Sequence, residues 1–447
     1  MLWLGHDENI IPDADVNSAR LILISLICAV PAILLLDGPI LQGLIPAILA
    51  VGIAVVAGTI RQGEAGFLLS SLRPVVALAV IPVAWMLIQI VPLQGVGLAH
   101  PIWQSAAQAL GHPISGSISI DPGATVLALG RYLSALAVML LAAAVGGDRG
   151  RAEGVLFALT AATALVALVM IGHDFMGLAF LKDNTSHRAQ ARACAALGII
   201  VSAAACIRSL ERYETSQLRA DRSTATLTRA SIAGAAALAL CAVALMREMT
   251  GSLLFAIAYG LGTLIAVVAI RRIGLGLWGR LAIATTAAAV AVALIGTSAR
   301  VRATDLALAF ARGQPELVSA SQRMLADAPW MGTGAGTFAA LLPIYRDAGD
   351  AITDAGAPTA AAAIAIELGR PMLGAIVVAL TVGIVVLLRG AFQRGRDSFY
   401  PAAGAGSALL LLLLSFCDNG VLGSPVAICA AAILGLAFVQ RQGRASA

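Results

Sequence analysis

Charge is what this sequence has least of: Asp, Glu, Lys and Arg fill 12% of 447 positions, while hydrophobic residues fill 60%. Soluble domains carry roughly 25% charged residues, so a protein with a charged, water-facing surface is excluded. Lysine is nearly missing, Lys182 being the single one among 29 basic residues. The formal charge of +5 therefore rests on arginine. These arginines are spread from loop to loop rather than gathered on one face, which excludes a nucleic-acid footprint.

Other absences narrow the class further. The cysteines (Cys28, Cys194, Cys206, Cys241, Cys417, Cys429) form no Cys-x-x-Cys pair and no zinc-type spacing, and read as small core residues rather than disulfide or metal positions. Segments of about ten alternating residues, the mark of a membrane β-barrel, are missing. The opening "MLWLGHDENIIPDADVNSAR" lacks the basic n-region of a secretory signal. The first apolar helix is therefore expected to stay as a membrane anchor. Scattered carboxylates suggest no octahedral metal cage, so no metal or other cofactor is expected.

What the sequence does have is apolar runs of about 17–25 residues, each enough to cross a hydrocarbon core of about 30 Å as a helix. They predict an all-α polytopic membrane protein with spans at 20–36, 39–58, 74–93, 124–145, 154–172, 191–207, 230–246, 251–270, 281–297, 372–388, 402–418 and 424–439. Arginines crowd alternate loops (Arg61 and Arg73; Arg149 and Arg151; Arg208 to Arg229; Arg271 to Arg280; Arg389 to Arg396), which makes that face cytoplasmic. The chain then divides into a bundle over 1–297, an outer loop over 298–371 and a second part of the bundle over 372–447.

In the outer loop, "VRATDLALAFARGQPELVSASQRMLADAPW" spaces apolar residues at three and four, predicting two amphipathic helices separated near Gly313 and Pro315. A glycine-rich turn follows, with Gly332, Gly334 and Gly336, and "APTAAAAIAIELGRP" predicts a third helix. No strand precedes the turn and no Gly-Lys-Ser/Thr follows it, so it reads as a packing turn rather than a phosphate loop.

An ionisable group at the edge of hydrocarbon is expensive and marks a candidate site. On the outer side these are Arg188, Arg192, Arg247, Glu248, Arg323, Arg346 and Glu367, with His187 beside them and Arg131 within a span. "LMREMTGS" holds Arg247 and Glu248 in a short link, either as a solvated ion pair or facing a lipid phosphate. Arg188 and Arg192 are four apart and share a helix face, suited to lipid headgroups or to a phosphorylated substrate. His187 reads as structural or catalytic. Arg323 either pairs with Asp327 or faces a substrate. Arginine fits diphosphate because its planar fork stays charged and donates paired hydrogen bonds. Outside a membrane, where ATP is lacking, lipid diphosphates are the usual activated donors.

Several stretches resemble the O-antigen ligase and polymerase family of integral membrane glycosyltransferases. "WMLIQIVPL" with "GSISIDPGATVLALGRYLS" looks like its third span, first outer loop and fourth span, and "NTSHRA" is similar to its Asn-x-Asn-His-x-Ala stretch, with Ser186 at the second Asn. "RMLADAPWMGTGAGTF" resembles its Arg … Pro-x-x-Gly-x-Gly-x-Gly-x-Phe signature, and "IELGRPMLG" its Glu-x-Gly-x-x-Gly. Together they cover about residues 75 to 390. The family's Ser-Arg-Gly arginine has no direct counterpart: Met249-Thr250-Gly251 stands there, with Arg247 one turn earlier. The histidine that ligases carry in the last loop is absent, Gly356-Ala357-Pro358-Thr359 taking its place.

The resemblance implies a bundle of about twelve spans like those of GT-C glycosyltransferases, in a bacterial inner membrane, with an active site on the periplasmic face. It implies inverting, metal-independent transfer of glycan from undecaprenyl diphosphate, as a polymerase of repeat units for an exopolysaccharide or O-antigen. The alternatives are a ligase moving glycan onto lipid A–core, a flippase or transporter of lipid-linked glycan, and a non-catalytic scaffold. In the polymerase reading Arg323 and Arg247 neutralise the diphosphate and Glu248 accepts the hydroxyl proton. Arg188, Arg192, His187, Trp330 and Arg346 then hold diphosphate or glycan. The implied partners are the lipid-linked glycan, its acceptor, membrane lipids and the polysaccharide-assembly machinery.

Overall fold

The structure, a computed structural model, describes residues 12–36, 39–59, 62–92, 99–176, 185–217, 224–273, 305–311, 314–347, 356–393 and 397–441. Within them every regular element is helical. The helices are α1 (Pro12–Cys28), α2 (Val30–Leu36), α3 (Pro39–Thr59), α4 (Gln62–Ile90), α5 (Ile102–Leu110), α6 (Pro122–Val145), α7 (Arg149–Met176), α8 (Thr185–Gln217), α9 (Thr224–Leu245) and α10 (Gly251–Ile273). After them come α11 (Pro315–Asp327), α12 (Phe338–Tyr345), α13 (Ala360–Glu367), α14 (Arg370–Gln393), α15 (Phe399–Ser415) and α16 (Ser424–Gln440). The predicted span at 281–297 lies outside the described residues.

Six of these helices are long and apolar enough to cross a membrane, or seven if the bent pair of α1 and α2 is one span; four further apolar helices are shorter. The 45° bend between α1 and α2 follows from sequence. Pro31 brings no N–H to the helical ladder, and the Ser25 hydroxyl donates back to the carbonyl of Leu21 at 2.7 Å.

Burial ranks the helices. The apolar window of α8 is 78% buried and that of α14 only 17%, so α8 is the axis of the bundle and α14 belongs to its rim. Rim side chains such as Val378 (62% exposed) meet hydrocarbon without cost, because lipid is as apolar as a core. Around the axis, backbones approach closely where side chains are small. Gly260 of α10 faces the carbonyl of Gly406 in α15, where an added Cβ would sit 2.9 Å away.

The outer segment departs from expectation in two ways. The first predicted amphipathic helix is, in its described part, a 3₁₀ turn over Leu306–Leu308 capped by Asp305. Only α11 takes the amphipathic form, burying Leu317, Ala320, Ser321, Met324 and Leu325. A short helix not anticipated, α12, follows the glycine turn. Helix α13 is buried nearly all round, which its alanine run permits. Its cap is Thr359, whose hydroxyl accepts from Ala362 N at 3.0 Å and donates to the Ala307 carbonyl at 2.8 Å.

At one end of the bundle Glu153 of α7 accepts from Arg208 (2.5 Å) and Arg212 (2.9 Å) of α8, and Arg149 pairs with Asp397 at 2.9 Å. The ends of α7, α8, α9, α10 and α15 opposite to these carry the candidate site.

Candidate functional site

Two constellations lie at that opposite end, one built on helix termini and the other on the glycine turn.

The first centres on Arg192, one turn beyond Arg188 on α8. Its Nη1 donates to Glu248 Oε2 at 2.7 Å, and its Nη2 donates to Asp418 Oδ2 at 2.7 Å. Each nitrogen of the fork thus serves a different carboxylate. Arg188 approaches Glu248 Oε1 at 3.9 Å, and its Nη2 lies 2.7 Å from His173 Nε2. Since a guanidinium only donates, Nε2 is the accepting atom of this contact. Asp418 in turn fixes its own loop: Oδ1 accepts from Gly420 N at 3.1 Å, and its carbonyl accepts from Ala360 N at 3.1 Å.

Arg247 stands beside Glu248 in sequence but turns elsewhere. Its Nη1 donates to the Asp174 carbonyl at 2.5 Å, and its guanidinium covers the Phe175 ring at 4.7 Å. His187 is buried, with Nδ1 3.2 Å from the Leu34 carbonyl; it ties α8 to α2. The group as a whole holds Arg188 and Arg192 against Glu248 and Asp418, two basic side chains facing two carboxylates.

The glycine turn is a backbone lattice. Gly332, Gly334, Gly336 and Gly369 all have positive φ (77°, 110°, 80° and 89°), a region open to glycine but strained for other residues. Thr333 N donates to Ile366 O at 3.0 Å, Gly334 N to Glu367 O at 3.0 Å, and Ile120 N to Thr333 O at 2.9 Å. The amide of Gln89, in α4, donates to Met331 O (2.8 Å) and Glu367 O (2.9 Å) and accepts from Ala335 N (3.3 Å). Trp85 Nε1 donates to Leu368 O at 2.8 Å. The turn therefore sews the ends of α4, α6 and α13 together.

Glu367 ends α13 within this lattice. Its Oε1 accepts from Phe338 N at 3.1 Å. Burial pushes its carboxyl up to about 6, against the opposing pull of the Gly336 and Phe338 amides and the Arg131 charge on α6. Trp330 is 64% exposed and meets Trp85 edge to face at 6.2 Å.

Arg323 does not pair with Asp327, the partner its spacing suggested. It donates to the Tyr345 carbonyl, from Nε at 3.2 Å and also from Nη2, and to Asp347 Oδ2 at 3.2 Å. Asp327 instead hydrogen-bonds the Tyr345 phenol, and burial and then this carboxylate raise the phenol above its usual range. Helix α12, absent from the sequence reading, supplies the partners that overrule i, i+4 pairing. Arg346, just past α12, is exposed.

Of the sequence candidates, then, Arg188, Arg192 and Glu248 come together, with Arg247 on the same link. Arg323, Arg346 and Trp330 belong to the outer segment. Asp418 and His173 were missed, although both meet the criterion of a polar group at the end of an apolar run, in "FCDNG" and "IGHDF". Gln89 was missed for a different reason: it is a single amide inside "WMLIQIVPL", and nothing local says that it reads two loops. The sequence matches no protein-family model, and no curated protein matches it.

Proposed function

We propose that this chain is a glycosyltransferase of a bacterial inner membrane, joining undecaprenyl-diphosphate-linked oligosaccharide units on the periplasmic face. The observation that carries the reading is the Arg188, Arg192, Glu248, Asp418 constellation at the ends of α8, α9 and α15. Two guanidiniums held by carboxylates at a membrane surface form a site where phosphate oxygens can take the carboxylates' place. Neutralising a diphosphate leaving group there stabilises charge as the sugar–phosphate bond breaks, and this reading requires no metal.

In this reading the chain crosses twelve times: six long helices, the bent pair, four shorter apolar helices and the segment 281–297. Residues 298–371 then lie in the periplasm, and the end carrying Glu153, Arg208 and Arg212 is cytoplasmic, as the arginine bias requires. Polymerisation is favoured over ligation because 298–371 contains no histidine.

The test is the size and attachment of surface glycan in cells lacking the protein and complemented with wild type, Arg192→Ala or Arg323→Ala. Single repeat units without long chains, restored by wild type only, are expected. Long chains accumulating on undecaprenyl diphosphate would make the protein a ligase instead. Glycan unchanged in the deletion would overturn the proposal.

A further inference from the structure

The glycan-transfer reading leaves open which group takes the proton from the attacking hydroxyl. In the polymerase reading of the sequence, Glu248 takes this proton. In the structure its Oε2 accepts from Arg192 at 2.7 Å and its Oε1 faces Arg188 at 3.9 Å. A carboxylate so engaged occupies the place that the diphosphate oxygens need.

Resting on that reading, we infer that Glu367 is the proton acceptor of the transfer reaction and that the Arg188, Arg192, Glu248, Asp418 cluster binds only the leaving group. Three observations lead there. Helix α13 joins the two places: the N–H of its first residue, Ala360, is bonded to the Asp418 carbonyl, and its last residue is Glu367. Seven helical steps of 1.5 Å put Glu367 about 10 Å along the helix axis from Ala360, so the two places lie within the span of one sugar and its diphosphate. Second, Glu367 is held but not used up. Its carboxyl accepts from the Phe338 and Gly336 amides, while a carboxylate offers about four lone-pair positions, and the residue keeps part of its surface exposed. Third, its surroundings suit proton transfer near neutral pH.

Besides the Gly336 amide of the glycine turn and the Phe338 amide of α12, groups from α6, α4 and α14 surround Glu367. From α6, Arg131 acts on it by charge. From α4, Gln89 and Trp85 bond the backbone carbonyls of Glu367 and Leu368, leaving the carboxyl alone. From α14, Arg370 is engaged with Asp305 at 2.8 Å and with the Leu325 carbonyl at 3.3 Å. The Gly336 and Phe338 amides, and after them the Arg131 charge, keep Glu367 from rising further. In the step, the acceptor oxygen forms a bond to the sugar C1 and its proton passes to the Glu367 carboxylate. The C1–O bond breaks, and its electron pair leaves on undecaprenyl diphosphate.

The experiment uses the full chain in lipid nanodiscs, with undecaprenyl diphosphate as the binding probe and lipid-linked glycan extracted from the host as the substrate for chain growth. Glu367→Gln keeps an oxygen for the Gly336 and Phe338 amides and carries no buried charge, so it should melt no lower than wild type and bind the probe normally. Its chain growth should fall by about 100-fold or more. Glu367→Asp should recover part of that loss, and wild-type growth should decline below about pH 6. Normal growth by Glu367→Gln, with growth abolished in Arg192→Ala, would overturn this assignment and leave the transfer reading standing. Absence of both probe binding and chain growth in the wild type would overturn that reading and this one with it.

Discussion

Arg192 and Asp418, 226 positions apart in sequence, meet through a 2.7 Å hydrogen bond at the end of the bundle. The bond joins the axial helix α8 to the loop between α15 and α16, and the backbone of that loop holds the start of α13. One contact thus links the arginine cluster to the glycine turn.

Breaking it should be felt in stability. Asp418→Ala removes a charged hydrogen bond between side chains that are 25% and 23% exposed, a loss of about 1–3 kcal/mol. Asp418→Asn keeps an oxygen for Gly420 N and should lose less. Thermal unfolding of the two variants in detergent would rank them, and equal melting temperatures would show that the arginine bond contributes nothing.

Gly334→Ala should be among the most damaging single substitutions in the outer segment. Its φ of 110° is strained for any other residue, and a Cβ would overlap the Ser119 side chain. Backbone strain alone costs about 1–3 kcal/mol. Gly336→Ala, whose Cβ would stand 3.1 Å from the Ala124 carbonyl, should be milder. Folded yield after solubilisation would reveal the order, and the reverse order would contradict the packing described.

Glu367 sets a pH dependence whose sign is fixed. Its carboxyl is raised from 4.5 to about 6 by burial, so between those values the folded protein binds more protons than the unfolded chain. Stability from this group is fully present below 4.5 and is lost as pH rises through 6, by about 2 kcal/mol in all. Glu367→Gln should flatten this part of the profile. Denaturant unfolding from pH 4 to 7 reads the effect, and a wild-type curve that instead gains stability from this group above pH 6 would reverse the sign. Chain growth and stability therefore change in opposite directions over this interval.

At the other end, Glu153→Ala should be severe. It strands Arg208, a residue only 6% exposed whose Nη2 reaches Glu153 at 2.5 Å. Removing one member of a buried pair costs about 3–5 kcal/mol. Joint replacement of Glu153 and Arg208 by apolar residues should recover much of that, which melting curves of the single and double variants would show.

The helices were legible because what makes them is local: an apolar run of spanning length. The candidate arginines of α8 were legible by the same logic, since charge at the edge of hydrocarbon is expensive wherever it falls in sequence. Helix α12 was not, because "FAALLPIY" contains a proline and is too short to show a period. It matters, since it turns Arg323 from its neighbour Asp327 to the Tyr345 carbonyl.

By itself the sequence determined that this chain is helical and membrane-embedded, and which few residues carry charge at the ends of its helices. Tertiary structure alone decided which of those charges meet. Arg192 came to bridge the carboxylates at 248 and 418, and Glu248 came to face two arginines rather than stand as a lone base. Glu367 was closed into a lattice made by residues near 89, 120 and 335. The physical reason is range. Hydrophobic burial acts on every residue according to its own side chain, whereas a hydrogen bond or ion pair exists only once packing has brought distant segments within about 3 Å.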